Sequence, residues 1–151
     1  MNRINISGIR DVNDPFYRYK MRKLVVIQER TKISLPNLDE VGNDIQREPE
    51  MLLEYFKRKF NSNFIKKDGR VLTTKTIKYN EFEEAIREFI EFFILCDKCN
   101  LPETTYEMTE NHYILTCRCC ANYHKYQPKD IKNKNASKTL EILLKNFKHF
   151  V

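Results

Sequence analysis

Four of the five cysteines fall into two pairs, Cys96-x-x-Cys99 and Cys117-x-x-Cys120, with seventeen residues between the pairs. Each C-x-x-C turn can aim two sulfurs at one ion, and this spacing is a signature of a four-thiolate zinc site. Four thiolates fill a tetrahedral shell and leave no position for a substrate, so the predicted role of the metal is structural. Cys96, Cys99, Cys117 and Cys120 are the predicted ligands. Cys119 is the surplus thiol, because adjacent cysteines fit poorly on one ion. Zinc binding at such a site contributes on the order of 10 kcal/mol of folding free energy, and a small ribbon could scarcely fold without it. His112, His124 and His149 are not needed as ligands. His124, close to the second pair, reads as a solvent-facing strand or loop residue.

Other chemistry is sparse. No serine or cysteine sits in a recognisable nucleophile elbow, and no paired-carboxylate motif occurs. Gly8, Gly42 and Gly69 are too far apart to form a phosphate-cradling loop or a dinucleotide fingerprint. The chain therefore carries no self-contained active site. What remains is the cluster Asp14-Pro15-Phe16-Tyr17-Arg18-Tyr19-Lys20-Met21. Pro15 disfavours helix at Asp14, and the aromatic density predicts a segment that docks on something. A rigid, permanently charged guanidinium on such a segment can bridge phosphate oxygens in a partner's site. An arginine supplied in trans to a GTPase is worth roughly 10³ to 10⁵ in rate, or about 4 to 7 kcal/mol off the barrier. The same cluster could instead stack on RNA bases and pair with phosphates, or pack against its own domain.

These groups need a scaffold. Residues 1–22 show no helical or strand period and predict an extended, mobile arm. Leu24-Val25-Val26-Ile27 reads as a strand, with Ile33 and Leu35 in its partner and Glu29 to Lys32 as the turn. Asn37 is placed to cap a short helix through Ile45, with Leu38, Val41 and Ile45 on one face. Pro49 opens a second helix, whose inner stripe is Leu52, Leu53, Phe56 and Phe60. Asp68-Gly69 predicts a hairpin between 63–66 and 71–74. Asn80 with Glu83 resembles a capping box for a long helix carrying Phe82, Ile86, Phe89, Ile90 and Phe93. Two strands, at 106–108 and 112–116, would join the cysteine turns as a zinc ribbon. A final helix is predicted from near Ser137, with Leu140, Leu143, Leu144 and Phe147 on its apolar face. The fold class is thus α+β: an extended N-terminal arm over 1–22, a small mixed α/β domain over 23–93, a C4 zinc ribbon over 94–130 and a C-terminal helix over 131–151.

Composition sets the outer bounds. The chain has 151 residues, 41% of them hydrophobic, and a net charge of +6. That charge favours an acidic partner such as nucleic acid. No apolar run reaches the length of a membrane span, and the first thirty residues lack the apolar core of a secretory signal. Cysteines used as metal ligands fit a reducing compartment. The expectation is a cytoplasmic protein, monomeric when free, with no membrane partner.

Asn13 to Met21, taken with the cysteine spacing, resembles the N-terminal domain of the eukaryotic translation initiation factor 5 / initiation factor 2 beta family. The likeness continues through Asn37-Leu38-Asp39-Glu40-Val41, Gln46-Arg47-Glu48-Pro49, Tyr55-Phe56 and the run from Phe89 to Cys96. Asn100 to Thr104 and Ile142 to Asn146 extend it. The arm motif favours the factor 5 branch over the beta subunit. The resemblance implies a domain that accelerates GTP hydrolysis by initiation factor 2 during start-codon selection, on the small ribosomal subunit and near initiator tRNA. It places the essential arginine at Arg18 and a supporting lysine at Lys32. Phe16, Tyr17, Tyr19, Lys20, Met21, Arg22 and Lys23 are the expected contacts with partner or RNA. Alternatives are a ribosome- or RNA-binding module without activation, and a beta-like subunit of initiation factor 2. The chain departs from the family pattern at three places. The glycine-rich loop ahead of Lys32 is contracted to Gln28-Glu29-Arg30-Thr31. A family lysine before Tyr55 is Glu54. The glycine after the last cysteine is Ala121. The chain stops at Val151 without the family's helical-repeat domain, which suits a minimal factor, a fragment or a mimic.

Overall fold

The computed structural model describes residues 3–8 and 16–150. The Asp14-Pro15 step of the arm and the terminal Val151 lie outside them. Where no strand was expected, β1 (Arg3–Asn5) pairs antiparallel with β2 (Lys20–Arg22), in the register Arg3↔Arg22, Ile4↔Met21 and Asn5↔Lys20. The Ile6 N–H donates to Tyr19 O at 2.8 Å and carries the pairing one step further. Each strand is only three residues long, too short to show a period of two. Ile6 and Met21 are core residues, Met21 only 1% exposed. Arg87 Nη1 donates to Ser7 Oγ at 2.9 Å, and a Cβ at Gly8 would collide with the Glu91 carboxylate. The first limb of the arm is thus laid on the body.

A four-stranded antiparallel sheet follows, in the order β3-β4-β6-β5. Its strands are β3 (Ile27–Gln28), β4 (Ile33–Leu35), β5 (Ile65–Lys67) and β6 (Arg70–Thr73). The strand expected from Leu24 is confined to Ile27–Gln28. Upstream, the Asn37 side chain accepts from Val25 N at 2.8 Å and donates to Lys23 O at 2.9 Å. Those backbone groups are satisfied by a side chain rather than by a ladder. For the same reason Asn37 makes no side-chain cap for α1 (Leu38–Asp44). α2 (Pro49–Phe60) starts on its proline as anticipated. In the β5–β6 hairpin Asp68 and Gly69 both take positive φ, 53° and 76°, the backbone that a type I′ turn requires.

α3 (Tyr79–Phe93) starts ahead of Asn80. The Glu81 carboxylate accepts the Lys78 N–H at 3.0 Å, so Glu81 rather than Glu83 closes the first turn. Glu83 instead accepts the Tyr79 hydroxyl at 3.0 Å. Phe82 lies edge-on to Phe56 and Phe60, with ring centroids 5.3 and 5.2 Å apart, and locks α3 to α2. The ribbon sheet is β7-β8-β9: β7 (Thr104–Met108), β8 (Tyr113–Cys117) and an unforeseen third strand, β9 (Tyr123–Tyr126). α4 (Lys134–Lys145) begins three residues before Ser137, because the Asn133 side chain caps the Ala136 N–H at 3.0 Å. Phe147 falls beyond it, in a short 3₁₀ turn over Phe147–Phe150.

α4 packs on α2. A single apolar cluster joins Phe56, Phe82 and Phe93 of the body, Met108, Tyr113 and Leu115 of the ribbon, and Leu140, Leu143 and Leu144 of α4. Among the described residues no helix is long and apolar enough to cross a membrane.

Candidate functional site

The four predicted ligands converge. Their sulfur atoms all lie within 4.8 Å of one another, with Cys96–Cys120 and Cys99–Cys117 each 3.6 Å apart. Tetrahedral zinc with Zn–S bonds of about 2.3 Å sets sulfurs about 3.8 Å apart, so the cage fits a metal of that size. Two matched turns build it. After the first pair, Asn100 N donates to Cys96 O at 2.9 Å and Cys96 N to Leu101 O at 3.1 Å, with Asn100 at φ 60°. After the second, Cys117 N donates to Asn122 O at 2.9 Å, with Ala121 at φ 59°.

Four thiols this close cannot all ionise without a cation between them. Burial opposes ionisation of Cys96, but N–H groups of Cys99 and Lys98 and the neighbouring thiols outweigh it and bring that thiol down to about 7. Cys99 is pushed up to about 12, by burial first and then by the thiols of Cys117, Cys96 and Cys120. His124 is not a ligand. It lies on β9, only partly exposed, with Nδ1 3.0 Å from Asp97 Oδ2 and its ring centroid 4.2 Å from that of Tyr126. Asp97 also accepts from Asn122 Nδ2 at 2.8 Å, which braces one cysteine turn against the other.

A residue given no role from sequence fastens this centre to the helices. Arg47 is 3% exposed. Its Nε donates to Tyr113 Oη at 3.1 Å, Nη1 to Gln46 O at 3.0 Å, and Nη2 to Thr104 Oγ1 at 2.9 Å and Phe93 O at 3.1 Å. Its guanidinium also faces the Tyr106 ring, 5.0 Å from the centroid. Every one of these partners is neutral, so the cation is solvated by oxygen dipoles inside the protein. The elements so joined are the α1–α2 junction, the end of α3, β7 and β8.

The arm runs past the cysteine turns. Tyr17 Oη donates to Ile6 O at 3.3 Å, and burial followed by the charge on Cys99 raises its pKa. Arg18 is exposed, with its guanidinium 5.2 Å from the centre of the Tyr19 ring. Tyr19 Oη lies 3.7 Å from Cys119 Sγ. Phe16 is 90% exposed. Arg18, Tyr19, Lys20, Asp44, Glu103 and Arg118 line a cleft of about 220 Å³ between the arm, the end of α1 and the first ribbon turn.

The other expected contact residues are placed differently. Met21 is core and unavailable to a partner. Lys20 Nζ donates to Asn5 Oδ1 at 2.7 Å, and Arg22 pairs with Asp44 at 3.1 Å. Lys23 is exposed. Lys32 sits beside Glu29, at 3.9 Å, in the β3–β4 turn, on a different element from those around Arg18. Glu54 pairs with Lys57 at 3.3 Å on α2.

The family model described as a domain found in initiation factors 2B and 5 matches residues 9–123. The chain belongs to this family. Eukaryotic translation initiation factor 5 from Dictyostelium discoideum is 30% identical over 141 residues, 91% of this chain and 35% of that protein. The Caenorhabditis elegans factor of the same name is 32% identical over 117 residues, 74% of this chain and 27% of that protein. Translation initiation factor 2 subunit beta of Methanopyrus kandleri is 26% identical over 103 residues, 68% of this chain and 75% of that protein. This initiation-factor domain therefore spans about a third or less of the factor 5 relatives and most of the archaeal subunit's length. The match covers both cysteine turns, Arg47 and Arg18.

Proposed function

We propose that this domain acts in translation initiation by presenting Arg18 to the nucleotide site of a partner GTPase, the GTP-bound initiation factor 2. The setting is the cytoplasmic preinitiation complex, with the small ribosomal subunit and initiator tRNA as neighbours. The carrying observation is the placement of Arg18. Its guanidinium is exposed, while the residues on either side are tied down by the Tyr17–Ile6 bond and the β1–β2 pairing. A cation on an anchored strand loses little freedom on insertion, so more of its interaction is left for the transition state. The chain itself is not the enzyme; it completes the partner's site. Zinc is the metal that four thiolates in a closed cage favour, and its role is to brace the turns against which the arm rests.

The test is single-turnover GTP hydrolysis on assembled initiation complexes. Arg18→Ala should remove an acceleration of roughly 10³ to 10⁵ while metal content and circular dichroism stay as in the parent. Arg18→Lys should restore little, because an ammonium cannot fork between two phosphate oxygens. Equal rates for parent and Arg18→Ala would refute the reading.

The RNA-binding alternative draws less support, since Lys20 and Arg22 already serve Asn5 and Asp44. The beta-subunit alternative is favoured by the 75% coverage of the archaeal relative. Equimolar co-purification with the GTPase subunit of initiation factor 2, without stimulation of hydrolysis, would decide for it.

A further inference from the structure

Cys119 is the one cysteine outside the four-sulfur cage. From spacing alone it has no task. In the structure its Sγ meets Glu103 Oε2 at 2.8 Å on one side and Tyr19 Oη at 3.7 Å on the other. The Tyr19 ring in turn faces the Arg18 guanidinium at 5.2 Å. Each link is local. Glu103 sits directly ahead of β7, and its carbonyl accepts the Arg118 N–H at 2.9 Å, which clips the two cysteine turns together. Cys119 rides on the second turn. Tyr19 belongs to the arm, and its carbonyl is already held by Ile6 N at 2.8 Å.

We propose that Cys119, oriented by Glu103, is a positioning residue for Arg18: it fixes the rotamer of Tyr19, the aromatic plate on which the guanidinium rests. The backbone pairing of β1 with β2 sets where the arm lies, but it leaves the Tyr19 ring free to rotate about its side-chain bonds. A thiol beyond the last regular pairing is what holds that ring in the conformer that faces Arg18. A cation over an aromatic face is held by the ring's quadrupole, so a fixed ring means a fixed cation. The sulfur needs no ionisation and no metal bond for this role. It needs only to stay beside the cage, where the flanking ligands Cys117 and Cys120 place it. The functional consequence rests on the arginine-finger reading above; the positional claim does not.

The test uses the full metal-loaded chain. Cys119→Ala and Tyr19→Phe are each expected to raise amide exchange over residues 17–21 by about fivefold, the worth of one lost hydrogen bond near the surface. Nitrogen relaxation of the Arg18 Nε–H group should report more motion. The double variant should add nothing beyond either single change, because both remove one and the same contact. Cys119→Ser, which keeps a donor toward Glu103, should recover part of the loss. The metal-to-protein ratio should match the parent in every variant. GTPase stimulation should fall by a similar factor in Cys119→Ala with substrate affinity unchanged. Parental exchange in the arm of Cys119→Ala, fully additive effects in the double variant, or loss of the metal from Cys119→Ala would each overturn the proposal; the last would make Cys119 a ligand. If the parent itself gives no stimulation, the finger reading fails, and the exchange and relaxation data still decide the positioning role.

Discussion

Ala121 occupies a backbone conformation that its side chain resists. Its φ is 59°, and the equivalent residue of the first turn, Asn100, has φ 60°. Each follows the second cysteine of its pair and reverses the chain so that both sulfurs face inward. The left-handed region costs an L-residue about 1 to 2 kcal/mol, and asparagine tolerates it better than alanine because its short polar side chain bonds locally. Glycine would remove the clash at Ala121 but would free the unfolded chain by about 0.5 to 1 kcal/mol. The net expectation for Ala121→Gly is a gain of about 0.5 to 1 kcal/mol. The turn exists to hold metal, so this gain should appear as metal affinity about two- to fivefold tighter. Asn100→Ala should move the same quantities the other way by a similar amount. The assay is competition for the metal with a chromophoric chelator, beside urea denaturation of the metal-loaded protein. A weaker site in Ala121→Gly, or no difference between Asn100→Ala and the parent, would refute the strain argument.

Further outcomes follow from other contacts. Arg47→Ala should destabilise the fold by about 3 kcal/mol, from four hydrogen bonds at roughly 1 kcal/mol each less the relieved desolvation; Arg47→Met, which keeps the stem and sheds the charge, should cost less, and urea midpoints that rank the two oppositely would contradict this. Chelation should lower the stability of the whole chain in one transition, since Met108, Tyr113 and Leu115 share the core with α3 and α4; two separated melts by circular dichroism would argue against it. Tyr55 and Tyr113 have pKa values raised above 10.0, by burial first in both and at Tyr55 also by its bond to Glu88. A raised acid favours its neutral form, so the stabilisation is complete below pH 10.0 and erodes as pH climbs above it; tyrosinate absorbance of these two residues should appear only with loss of near-ultraviolet dichroism. Glu54→Lys breaks a partly exposed pair with Lys57 worth about 0 to 1 kcal/mol, so thermal stability should hardly change while the family's cation is restored; if the Arg18 reading is right, hydrolysis stimulation or initiator-tRNA affinity should rise.

The legible parts of this molecule were those written in local chemistry. The cysteine spacing announced the cage, Asp68-Gly69 the hairpin, and Pro49 the start of α2. The illegible parts came from long-range partners. Three-residue strands such as β1 and β2 are too short to carry a period, and their pairing joins segments fifteen or more positions apart, as at Asn5↔Lys20. Nothing in the sequence marks Arg47 as buried, because arginine is among the residues least often found inside; only the convergence of Gln46, Phe93, Thr104 and Tyr113 makes room for it. Asn37 looked like a cap and became a clamp on Lys23 and Val25, since its side chain had two backbone groups within reach. The arm's residues pointed to docking, and the structure adds that part of the docking is internal: Met21 is core while Arg18 is at the surface.

The ribbon is spliced into the chain rather than hung from its end. The polypeptide leaves the helices at α3, builds the cysteine turns, and comes back as α4 to lie on α2. A module moored by one strand can swing; one moored fore and aft, and pinned by Arg47 amidships, can only move with the hull. Any partner that tugs on the arm therefore pulls against the full mass of the protein, and recoil is small.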